Sequence, residues 1–224
     1  MNSAKIIRRI GIRIATRLGL YERRQLEYFK IVTRMLITLV KHVKNCVVLD
    51  LGCGNGWLTR SMSRFCGLAI GIDIAPSKRW SSGDRGSNVE FVVADARFLP
   101  IRSNAISFVV ALSLLEHVTK WSKVVSEAFR VPRRGALFIV QIPNLSYFIE
   151  PHTKFPILGF LPNRLRTMLA LTMCCEIHFD CTLKNVIREL EKHDFKYWVS
   201  PYYHIPHKLI LFPPAFFIIA LKKI

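Results

Sequence analysis

The apolar and polar positions divide the chain into short unbroken apolar runs separated by longer stretches with helical spacing. Runs rich in β-branched residues fall at 46–51, 68–74, 89–94, 106–112 and 136–142. Each has the continuous apolar character of a parallel strand buried on both faces. Helical patterns lie between them at 57–65 and 120–129, and a longer one over 22–44, with Leu26, Phe29, Val32, Met35, Leu36, Leu39 and Val43, leads into the first strand and is expected to cover the sheet. This alternation predicts an α/β fold, a parallel sheet with helices on both faces. The connection 75–88, APSKRWSSGDRGSN, carries too many Ser and Gly for a helix, so a loop or a single helical turn is expected there. A helix over 182–193 and strands at 197–200 and 216–221 complete the pattern.

The stretch VVLDLGCGNGWLT, residues 47–59, joins the first apolar run to a glycine-rich turn and then to a helical pattern. Glycines in such a turn leave room for a ligand against the main chain, and the N–H groups of the helix start attract polar groups. The spacing is G-x-G-x-G, not the G-x-G-x-x-G of dinucleotide sites, and Asp50 stands two residues before its first glycine. A carboxylate there would repel a pyrophosphate but suits the ammonium and sulfonium of S-adenosylmethionine. Asp73 ends the second run, 17 residues beyond Gly56, where an open α/β sheet places an acid for ribose hydroxyls. Asp95 ends the third run, so three acids lie at the carboxyl ends of successive strands.

At 224 residues one well-buried domain is expected. The formal charge of +18 implies attraction to something anionic: a lipid surface, a nucleic acid or an acidic substrate. Residues 1–20 set Lys5, Arg8, Arg9, Arg13 and Arg17 among Ile6, Ile7, Ile10, Ile14 and Leu18. A basic amphipathic helix there could lie on an anionic membrane, dock on the domain or be a frayed terminus. The six cysteines show no secreted-scaffold spacing, which reads as a reducing cytoplasm. Cys174, Cys175, His178 and Cys181 match no standard zinc spacing, and no metal is expected. Neither a signal-peptide core nor an apolar stretch of the roughly 20 residues needed to span a bilayer is expected.

The segments VVLDLGCGNG, AIGIDIAPS, VEFVVADARFLPIRSNAISFVVALSLLEHV, EAFRVPRRGALFIVQIPN and HFDCTLKNVIRELEKHDF resemble class I S-adenosylmethionine-dependent methyltransferases, most closely the ubiquinone and menaquinone biosynthesis branch. The resemblance implies a Rossmann-like, mostly parallel sheet of seven strands in the order 3-2-1-4-5-7-6, with S-adenosylmethionine as cofactor. It implies that Gly52, Cys53, Gly54 and Gly56 line the methionine part, that Asp50 stands near its amino group, and that Asp73 with Ile74 takes the ribose. Asp95 with Ala96 would hold the adenine, and Ser113 would stand at the cofactor's edge. The sequence departs from that family in the short 75–88 crossover and in VPRRG, where Arg133 and Arg134 replace a structural turn.

Residues 1–44 are then expected to form basic and amphipathic helices, and 45–224 the methyltransferase domain. Residues 144–181 are long for a connection and leave the carboxyl edge of the sheet, which predicts an inserted helical lid that encloses the acceptor. His152, between Pro151 and Pro156, is the candidate general base, with Tyr147 or Glu150 as helper, while His117 more often fixes a turn than performs chemistry. The expected activity is methyl transfer to a small, lipid-like or glycan-linked acceptor at an anionic membrane surface in the cytoplasm. The competing readings are an RNA methyltransferase, which the charge permits, and a non-catalytic protein that keeps the cofactor site.

Overall fold

The computed structural model describes residues 20–39, 43–81, 86–144, 177–203 and 213–223, with a few positions between 161 and 168. A helix, α1 (Leu20–Leu39), precedes strand β1 (Val47–Leu51). There follow α2 (Trp57–Ser63), β2 (Leu68–Asp73), β3 (Val89–Val93), β4 (Ile106–Leu112), α3 (Ser122–Arg130), β5 (Pro132–Pro143), α4 (Leu183–Lys192), β6 (Phe195–Tyr202) and β7 (Ala215–Lys222). The seven strands form one sheet in the order β3-β2-β1-β4-β5-β7-β6. β1 to β5 are parallel and β7 runs antiparallel between β5 and β6, as expected.

Alternate residues of each central strand feed two separate cores, which is why the runs are apolar without a break. Leu49, Leu51, Val109, Ala111, Phe138 and Val140 face Val124, Val125 and Ala128 of α3 and Val186 and Leu190 of α4. Val48, Phe108, Val110 and Ile139 face Tyr28, Val32 and Leu36 of α1 and Met62 of α2. The 75–88 crossover contains one short 3-10 turn, Lys78–Trp80, seated by Ser77, whose hydroxyl accepts the N–H of Arg79.

The fifth strand differs from the expectation. The VPRRG segment is not a turn before the strand but part of it: Ile106 pairs with Pro132, then Phe108 pairs with Leu137. The intervening Arg133, Arg134 and Gly135 bulge outward, with Gly135 at φ 74. The cause is the ladder itself, since the N–H groups of Ala105 and Ile106 both donate to the Val131 carbonyl and draw the chain into register before the apolar run begins.

Candidate functional site

The turn after β1 is stitched to the neighbouring strand by main-chain bonds. The N–H groups of Gly52 and Cys53 both donate to the Ile72 carbonyl, at 2.8 and 3.0 Å, and Gly56 N–H donates back to Cys53. Gly52, Gly54 and Gly56 all adopt left-handed φ, 70, 54 and 76°. At Gly52 a side chain would also collide with Leu114, and at Gly56 with the ring of Phe91. The loop is thus a tight backbone cradle, and α2 starts directly from it at Trp57.

Asp73 and Trp80 hold the middle of the loop from opposite sides of its chain. The Asp73 carboxylate accepts the Gly54 N–H at 2.8 Å and the Ala75 N–H at 3.2 Å. The Trp80 indole N–H donates to the Gly54 carbonyl at 2.9 Å. Trp80 is itself buried and stacked on Phe91, ring centroids 5.0 Å apart and planes within 10°. Arg60 lies over the Phe91 ring at 5.2 Å and donates to the carbonyls of Arg79 and Trp80. The helix-poor crossover therefore serves as a brace for the glycine loop, a role that the sequence did not reveal.

Asp50 is buried at the foot of the cradle, where the Thr59 hydroxyl donates to it at 2.6 Å. Burial pushes its carboxyl up to about 7; the Thr59 bond opposes this and the charge of Asp73 adds to it. Among the described residues no cation is paired with this carboxyl. It opens on a cavity of about 320 Å³ lined by Gly52, Cys53, Gly54 and Asn55 of the loop, Leu112 and Ser113 at the end of β4, and Gln25 and Tyr28 of α1. Sequence reasoning missed the two α1 residues, which reach the cavity only because the helix packs across the sheet. A more open hollow of about 480 Å³ runs along α4 by Leu183, Lys184, Ile187, Arg188 and Glu191, remote in sequence from the strand-end acids.

Asp95 lies at the carboxyl end of β3, but its carboxylate is turned to Arg97. It accepts the Arg97 main-chain N–H at 2.8 Å and the guanidinium through Nε at 3.0 Å and Nη2 at 2.6 Å. These bonds hold its carboxyl below the usual range. Arg97 also donates to the Thr119 carbonyl, which ties the β3 end to the segment after β4. Ala96 is half-buried beside it, whereas Ile74 and Phe98, beyond the ends of β2 and β3, stand 70% and 63% exposed and offer apolar surface beside Asp73 and Asp95.

Ser113 has φ 52, an unusual conformation for a residue other than glycine, at the mouth of β4. Its hydroxyl donates to Oε1 of Gln141 at 2.7 Å, and Gln141 is buried within β5. His117 ends a 3-10 turn, Leu115–His117, and is exposed. His152, Tyr147 and Glu150 lie outside the described residues, as do Cys174 and Cys175. Cys181 is buried at the start of α4, where burial pushes its thiol up.

A glycine cradle and three acids at the ends of adjacent strands coincide with a sequence match: residues 49–140 correspond to the methyltransferase domain family. The chain carries a class I S-adenosylmethionine-dependent methyltransferase domain. A probable S-adenosylmethionine-dependent methyltransferase of Mycolicibacterium smegmatis is 30% identical over 118 residues, 53% of this chain and 46% of that protein. The match thus spans less than half of that relative's length. The fold agrees with the crystal structure of an S-adenosylmethionine-dependent methyltransferase from Mesorhizobium loti, at a TM-score of 0.66 and 16% identity over 84% of this chain and 96% of the other. It also agrees with a geranyl diphosphate C-methyltransferase of Streptomyces coelicolor, solved with Mg2+, geranyl diphosphate and S-adenosyl-L-homocysteine, at 0.64 and 13% over 91% and 80%. These methyltransferase matches establish the class I domain without singling out the ubiquinone and menaquinone branch. Asp50, the three glycines, Asp73, Asp95 and Ser113 all fall within the matched stretch.

Proposed function

We propose that the chain binds S-adenosylmethionine in the cradle between β1 and α2 and transfers its methyl group to a small, lipid-like or glycan-linked acceptor. The observation that carries this reading is the buried Asp50, without a cation partner among the described residues, facing the same cavity as the glycine loop. In the proposed complex Asp50 attracts the ammonium, Gly52, Cys53, Gly54 and Gly56 flank the methionine part, Asp73 with Ile74 takes the ribose, and Ala96 with Asp95 borders the adenine. Because Arg97 occupies the Asp95 carboxylate, that acid also acts as a support for the adenine side.

When bound, the cofactor supplies an electrophilic methyl carbon, whose bond to sulfur breaks as the bond to the acceptor atom forms. The chain's part is to align the two in line and to exclude water. A hydroxyl acceptor also needs a base for its proton, for which His152 with Tyr147 stands first and the exposed His117 second. The cavity's Leu112 and the geranyl diphosphate acceptor of a protein with a similar fold speak for a lipid-like acceptor. Cysteine usage and the cations of residues 1–20 support a cytoplasmic site of action against an anionic membrane. The charge of +18 also favours an RNA acceptor as the second reading.

Titration calorimetry with S-adenosylmethionine and S-adenosyl-L-homocysteine tests the assignment. Both ligands are expected to bind, and Asp73→Ala, which removes an acceptor for ribose and unpins Gly54, is expected to weaken both by about 1–3 kcal/mol. Unchanged affinity in that variant, or a preference of the wild type for NAD, sinks the proposal.

A further inference from the structure

Helix α1 has two different faces. Tyr28, Val32 and Leu36 are buried against the sheet, and Gln25 and Tyr28 reach the cavity. At about 100° per residue, Leu26, Ile37, Lys30, Arg23 and Arg34 fall within about 80° of arc on the opposite side. All five are exposed, and Leu26 and Ile37 remain 46% and 53% accessible. Among the described residues the stripe holds three cations against one neighbouring acid, Glu27, which pairs with Lys30 at 2.9 Å. Leu26 lies between Arg23 and Lys30, and Ile37 lies beyond Arg34 about 16 Å further along the helix, so aliphatic and cationic groups alternate down one face.

We infer that this outer face of α1 docks the protein on an anionic lipid surface. The cations meet headgroups through flexible stems while Leu26 and Ile37 enter the acyl boundary. Charge complementarity favours this occupant: the chain carries +18, and residues 1–19, directly before the stripe, add Lys5, Arg8, Arg9, Arg13 and Arg17. The described stripe contains aliphatic side chains and no aromatic ones, whereas a groove for single-stranded nucleic acid interleaves its cations with stacking rings. Docking rests on the lipid-like acceptor reading in one respect: the helix that meets the bilayer also lines the cavity, so an amphiphilic acceptor reaches the methyl group past Gln25 and Tyr28 without leaving the interface.

Sedimentation of the full chain with vesicles of phosphatidylcholine alone, or with about one-third phosphatidylglycerol, tests the surface. The wild type is expected to pellet with the anionic vesicles only. L26S/I37S should lower the partition coefficient roughly tenfold, and L26M/I37M should restore it. R23E/R34E should lower it by a similar factor that shrinks as salt is added. Calorimetry with S-adenosyl-L-homocysteine should give the same affinity in all four proteins, which shows that the variants are folded. If no form binds that ligand, the methyltransferase reading fails while the vesicle result still decides the surface. An L26S/I37S variant that pellets like the wild type overturns the inference, as does a wild-type chain that retains a structured RNA but leaves anionic vesicles in the supernatant.

Discussion

Gly56→Ala is expected to destabilise the protein by about 2–4 kcal/mol and to remove most of its cofactor binding, the first from the left-handed backbone and overpacking together. Gly56 sits at φ 76, where an L side chain is strained, and a methyl group there would overlap the far edge of the Phe91 ring. That ring is held from several sides. Trp80 stacks on one face, Arg60 lies over the ring, and its Cδ1 closes to 2.8 Å of where a Gly71 side chain would begin. Displacing Phe91 moves Trp80, which releases the Gly54 carbonyl and loosens the loop that must cradle the ligand. Gly54→Ala is the internal control, since Gly54 has φ 54 but open space around it, so only the backbone term of about 1 kcal/mol applies. Denaturant unfolding and calorimetry of the two variants separate the effects. Equal losses in both would mean that the Phe91 and Trp80 brace does not support the loop.

The second large effect is a pH dependence centred on Asp50. Its carboxyl ionises near 3.9 in an unfolded chain but is pushed up to about 7 by burial in the folded protein. Between those values the folded state binds more protons than the unfolded one. Its contribution to stability is therefore fully favourable below about pH 4 and declines as pH rises towards 7, levelling off above. Asp50→Asn keeps an acceptor for the Thr59 hydroxyl but cannot ionise, so the ligand-free variant should be more stable than the wild type at pH 8 by a few kcal/mol and equal to it at pH 4. Cofactor binding should show the opposite preference. An ammonium beside Asp50 favours the ionised form, so wild-type affinity should increase with pH through about 7 with release of a proton, and the Asn variant should bind weakly at every pH. Unfolding curves at pH 4 and 8, and calorimetry in buffers of differing ionisation heat, measure both parts. A ligand-free variant less stable than the wild type at pH 8 would place the Asp50 charge in a favourable site, contrary to this account.

These effects depend on groups that differ in how far they could be read from the chain alone. Asp50, Asp73 and Asp95 were legible because each lies at the carboxyl end of an apolar run. The Asp95 and Arg97 pair came from the structure, which shows the guanidinium turned back onto the carboxylate and its other nitrogen on Thr119. The Gln141 and Ser113 bond spans 28 residues and follows from β4 lying beside β5. No local pattern marks it, since Gln141 is one polar residue in an apolar strand.

Local pattern sufficed for the strands and for the helix and loop around the glycines, because two-sided burial and helical spacing are constraints written into successive residues, whereas the order of the seven strands came from the family resemblance. Tertiary structure alone decided that Trp80 locks the loop from 26 residues away, that α1 brings Tyr28 and Gln25 to the cavity, and that Arg133 and Arg134 bulge within β5. Each of these arises when strands take their neighbours: a register or a helix crossing brings distant groups within hydrogen-bonding or packing reach, and its free energy exists only once both partners are in place.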